Sequence, residues 1–153
     1  MTWLSQNKLT TIQATQPVIV ERIASNLPQT TQTAYFTVSG KALLVNIVGE
    51  VTTIIEAQAT NIKLVANPTV GADVDLCAAV DINGDAVGTM YNITGTLADT
   101  MVATTSGTMQ SQVAGVVVSA GSIDLDADES STGQTKWVLH YVPLEDGASI
   151  TTA

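Results

Sequence analysis

The apolar positions of this chain fall in short runs. Many alternate with polar residues, and most are closed by Gly, Pro, Asn or Asp. That is the period of a half-buried strand rather than of a helix. The clearest run is Lys136–Val142. Trp137, Leu139 and Tyr141 share one face, Val138, His140 and Val142 the other, and Pro143 ends it. Ala34–Val38 places Phe36 and Val38 together, Ile123-Asp124-Leu125 alternates cleanly, and Met90–Thr94 is a further strand. Ala42–Val48 and Val113–Val118 are apolar almost throughout, as expected of strands covered on both faces. Val74–Val80 reads as one strand. It leads through Asp81-Ile82-Asn83-Gly84-Asp85 to a returning strand at Met90, and Asn-Gly is the strongest short hairpin signal.

Gly49-Glu50 is expected to form a turn or bulge before Val51–Ile55. Ala59–Val65 follows, with Ile62 and Leu64 on one face against Asn61, Lys63 and Val65. A helix over Val51–Ala66 competes, since Glu56–Ala59 are good helix formers. The Thr52-Thr53 pair, the density of β-branched residues and the missing cap signals favour strand. Asn67–Gly71, Gly95–Gln112 and the acidic Asp128–Gly133 read as loops, the second with a short strand or helical turn inside it. Pro17 opens Val18-Ile19-Val20, where alternation is poor. Val18, Val20 and Arg22 lie opposite Ile19, Glu21 and Ile23, as in an edge strand laid on a neighbour. Met1 to Gln16 is polar and without period. The expectation is therefore an extended N-terminal arm over 1–16 and a single all-β domain over 17–153. A β-sandwich, jelly-roll-like in one form, suits the spacing better than βαβ units.

Composition narrows the function. Of 153 residues 45% are apolar, yet there is one histidine (His140), one cysteine (Cys77) and five Lys plus Arg. General bases, nucleophiles and cationic clamps are drawn from those types, so an enzyme is disfavoured and no cofactor is expected. The net charge is -9, and Lys8, Arg22, Lys41, Lys63 and Lys136 are scattered. That argues against nucleic acid and against an anionic membrane. The longest apolar runs are too short to span a bilayer, and no targeting segment is visible. A soluble protein made in a cytoplasm is expected.

Candidate motifs are weak. Asp124–Glu129 imitates a calcium loop, but Glu129 and Thr135 stand where an EF-hand needs Gly and its final Glu. A solvated strand edge is the expected reading. Asp81–Asp85 is explained as a turn. His140 has no partners converging with it in sequence, so a packed or interface histidine is expected rather than a zinc or triad member. Cys77 reads as a small buried hydrophobe. Trp137 is assigned to the core. Trp3 is either an anchor docking the arm on a neighbour or a residue folded back on its own domain.

Several phrases resemble small proteins encoded in the head-structure region of tailed bacteriophages. They are Leu43-Leu44-Val45-Asn46-Ile47-Val48-Gly49-Glu50-Val51-Thr52-Thr53, Thr60 through Gly71, Asp73 through Ala79, Ser131-Thr132-Gly133, and Lys136 through Leu144. The resemblance covers most of Ser39–Gly147 and omits the arm. It implies a virion structural protein, here read as a capsid decoration or cement protein on the capsid exterior. Its expected partners are the major capsid protein and its own copies, a trimer ahead of a dimer. Trp3, Leu4, Val18, Ile19 and Val20 are the expected interface residues. The alternatives are a tail or neck component, or a carbohydrate-binding β-sandwich on the virion surface. Aromatics make up only 4% of the chain, which counts against the last.

Overall fold

The computed structural model describes residues 16–153, and among these there are strands and connections but no helix. The expected arm, with Trp3 and Leu4, lies outside the described residues apart from Gln16, where the chain bends. The strands are β1 (Val18–Asn26), β2 (Gln32–Ser39), β3 (Ala42–Thr53), β4 (Asn61–Pro68), β5 (Val74–Asp75) and β6 (Val80–Asp81), followed by β7 (Met90–Asn92), β8 (Val102–Thr104), β9 (Val116–Val118), β10 (Gly121–Ala127), β11 (Gln134–Pro143) and β12 (Ser149–Thr152). The first sheet has the order β1-β11-β3-β7-β8, with β9 also on β3. The second has the order β12-β2-β10-β4-β5, with β6 also on β4. All of these ladders are antiparallel.

The pairing is nested along the chain. β1 pairs β11, β2 pairs β10, β3 pairs β7, and β4 pairs β5 and β6. A long hairpin rolled up on itself gives this order, which is that of a jelly roll. The all-β sandwich expected from the strand spacing is therefore what forms, with β8, β9 and β12 as additions.

Between the sheets lies one core. Trp137, Leu139 and Tyr141 of β11 are buried as their alternation required, beside Phe36, Leu44, Ile47, Ile62, Leu64, Ile123 and Leu125. Trp137 is flanked by Tyr91, stacked at 6.3 Å, and by Tyr35, edge-on at 6.4 Å. Its indole lies over Gly49, directly opposite in the ladder. A Cβ at Gly49 would come within 2.6 Å of the ring. Gly49-Glu50 is thus neither turn nor bulge. The strand runs straight through, and glycine is there to make room for the indole.

Other expectations are corrected. The bulge in β3 lies earlier, between the pairs His140↔Asn46 and Tyr141↔Leu44. It switches the buried phase from Ala42 and Leu44 to Ile47 and Val51. An alternating strand with one such slip looks continuously apolar in sequence. The helix over Val51–Ala66 does not form: β3 ends at Thr53, a connection follows, and β4 starts at Asn61. Asn67 and Pro68, expected in a loop, close β4. Val74–Val80 is two short pieces rather than one strand, because Leu76 and Cys77 turn inward to the core between them. The Asn83-Gly84 turn forms, with Gly84 at φ 69. It does not make a hairpin: β6 belongs to the second sheet and β7 to the first, so the turn carries the chain between sheets. Of Val113–Val118 only Val116–Val118 is strand, and Val113 is 74% exposed.

Candidate functional site

The two outward faces of the sandwich differ in chemistry. Residues directly opposite in a ladder point to the same side, so the register sorts them. On the first sheet, Ile19, His140 and Asn46 form one outward row, and Glu21, Val138, Val48 and Asn92 the next. Val142, Leu43 and Val117 form a third, and Lys136, Glu50 and Met90 a fourth. Ile19 is 62% exposed, Ile23 84% and Val117 58%. Leu43, Val48, Val138 and Val142 are half-buried. The one ion pair on this face joins Lys136 Nζ to Glu50 at 3.1 Å. The result is an apolar field with few charges.

A groove of about 360 Å³ opens on this face beside β1. Ile23, Val48 and Val138 floor it, and Glu21, Glu50 and Lys136 stand at its margin. The bulge in β1 between Arg22 and Ser25 pushes Ile23 out over it. Arg22 turns the other way, with its guanidinium 4.2 Å above the Tyr35 ring. Toward β7, residues 107–112 are pinned to the sheet by amides that the sequence reading left inside a loop. Asn92 Nδ2 donates to Asn46 Oδ1 at 3.2 Å and to the Gln110 carbonyl at 3.0 Å. The Gln112 amide N–H donates to Asn46 Oδ1 at 3.0 Å, and its Nε2 to the Leu44 and Ala114 carbonyls. Clustered Asn and Gln in an otherwise Thr/Ser segment were the only signal.

The second sheet's outward face is acidic. Asp73, Asp75, Asp124, Asp126 and Asp128 gather around Lys63, which lies 2.9 Å from Asp75 and 4.0 Å from Asp126. The hydrogen bond from Lys63 to Asp75 raises the ammonium pKa. Asp124 is not the solvated edge residue expected, being only 3% exposed. Gln32 Nε2 at 2.8 Å, Asn67 Nδ2 at 3.1 Å and Ser122 Oγ at 2.5 Å donate to it. Its burial follows from these donors on both neighbouring strands, which no local pattern announces. Asp128 accepts from Asn61 N and Nδ2, both at 2.8 Å, and these bonds lower its carboxyl pKa.

The motif residues occupy structural positions. Asp81 Oδ1 accepts from Asn83 N at 3.1 Å and from Thr60 N at 3.2 Å. Asp85 accepts the Tyr91 hydroxyl at 2.6 Å. Cys77 is buried, its thiol pKa raised chiefly by desolvation, and it accepts from Leu64 N at 3.5 Å. His140 stands half-buried between Ile19 and Asn46. Among the described residues no three His, Cys, Asp or Glu side chains are grouped to hold a metal. Of the expected interface residues, Ile19 lies on the outward face. Val18 sits at the rim beside Tyr141, and Val20 packs against the core.

Comparisons with protein-family models, with curated proteins and with solved structures found no match to this chain.

Proposed function

We propose that this chain is a non-enzymatic structural protein of a tailed-phage virion, and within that class a capsid decoration protein. It binds the major capsid protein and its own copies on the head exterior. The observation that carries the reading is the opposite character of the two outward faces. Interface centres are depleted of charge and rich in apolar contact, which suits the Ile19–Val117 field of the first sheet. An acidic outer surface keeps a crowded particle protein soluble, which suits the second sheet. The reactive side chains are committed to the fold, which favours contact over bond-making. A carbohydrate site draws on exposed aromatics, whereas Tyr35, Phe36, Tyr91, Trp137 and Tyr141 are all buried.

The test adds the full chain to preformed heads that lack it and images the particles. Density over the head exterior is expected. Density confined to tail or neck, unaided assembly into rings, or a hit in a glycan screen overturns the reading. Ile19→Glu and Val117→Glu should each weaken head binding at least about tenfold, the equivalent of ~1.4 kcal/mol, without lowering the melting temperature.

A further inference from the structure

The groove beside β1 is short of a partner, and the chain itself carries a segment of matching chemistry. Residues 1–15 contain one charged side chain, Lys8, and no acid. The whole chain totals -9, so the remainder carries -10. The segment is thus the one cationic stretch attached to an anionic body. Its large apolar residue is Trp3, and the groove offers an apolar floor. Glu21, at the groove margin, has no ion-pair partner among the described residues.

Length separates a neighbour's groove from the chain's own. From Pro17 to Ile23 along β1 is about 20 Å at ~3.3 Å per residue. From Trp3 to Pro17 the chain spans about 46–50 Å when extended. Self-docking would have to fold that excess away. Five strands side by side occupy about 24 Å at ~4.8 Å each, so the same length crosses from one body to the next. Two bodies of charge -10 repel, and they meet at least cost through the sparsely charged first-sheet face.

We propose that this groove receives residues 1–15 of a second copy, with the Trp3 indole on the Ile23–Val48–Val138 floor and Lys8 beside Glu21. This rests on the reading above only in taking copies to associate. The exchange is mutual, since each copy offers one segment and one groove, and it closes into a symmetric oligomer.

Disulfide trapping tests it. Full chains with Lys8→Cys and size-tagged full chains with Glu21→Cys are mixed under mild oxidation; native Cys77 is buried and stays out of reach. A mixed disulfide dimer is expected, at least about tenfold above a control pairing Lys8→Cys with Asp128→Cys on the acidic face. Ile23→Asp in the Glu21→Cys chain should remove that excess. Ile23 is largely exposed, so this change leaves folding intact. A yield no higher than the control overturns the proposal. So does closure within one chain of the Lys8→Cys/Glu21→Cys double variant without mixed product. Heads that bind the protein normally while trapping fails would sink only the segment exchange. Trapping that succeeds in a protein that ignores heads would sink only the decoration reading.

Discussion

Gly49 and Trp137 show how much one position decides. A methyl group at Gly49 collides with the indole, and the ring is held by Tyr35 and Tyr91 on either side. Gly49→Ala should destabilise by about 1–3 kcal/mol through overpacking. That outweighs the ~0.4–1 kcal/mol gained by restricting the unfolded chain. The urea midpoint should fall with m unchanged, and a raised midpoint would refute the packing account. Tyr91 makes a second prediction. Burial first, then the hydrogen bond to Asp85 and its charge, push the phenol pKa far above its usual 10.0. A folded-state pKa above the unfolded value means stability that is complete below the unfolded pKa and lost as pH rises above it. The protein should therefore lose stability above pH 10.0, the ordinary phenol value. Tyr91→Phe should flatten that loss, followed by tyrosinate absorbance together with circular dichroism. Neither effect was legible beforehand, because the ring over Gly49 and the acceptor for Tyr91 come from other segments of the chain.

Among the elements, β11 was the most legible and the Asn83-Gly84 connection the least. In β11 a strict alternation meets a terminal proline, and the buried face follows without further information. The connection contains a sound turn signal, but a turn says nothing about which sheet receives the next strand. β3 and β2 misled in another way. In β2 the register slips between Phe36 and Ala34, so Tyr35 and Phe36 are both buried. Bulges of this kind are set by the partner strand. The segment 107–112 is held by Asn46, Asn92 and Gln112 rather than by a ladder. Asn46→Ala removes the acceptor shared by Asn92 Nδ2 and the Gln112 N–H. It should cost about 1–3 kcal/mol and speed amide exchange across 107–114, while exchange in the β3–β11 ladder stays slow. Unchanged exchange there would show that the amides do not pin the segment.

For the whole molecule the nested pairing has a kinetic consequence. Val18 lies opposite Tyr141, so the first and eleventh strands meet only when the rest of the chain is in place. Non-local pairing of this kind slows folding to milliseconds to seconds or longer, as in all-β domains generally. Stopped-flow refolding followed by fluorescence should show no complete microsecond phase; one would refute the account. The uneven distribution of charge also belongs to this scale. Net charge is read directly from composition, but its concentration on one outward face depends on which strands the roll brings together. That asymmetry underlies both the decoration reading and the seating of a second copy's N-terminal segment.

By itself the sequence determined that this chain folds through strands, roughly where each ends, and which face of β11 is buried. Those properties are local: a period of two, β-branched residues, and Pro or Gly at the breaks. Only the tertiary structure decided the rolled order of the strands, the phase slips in β2 and β3, the room kept for Trp137 at Gly49 and the burial of Asp124. Each of these depends on a partner from a distant part of the chain, and no pattern within one segment records what will lie across from it.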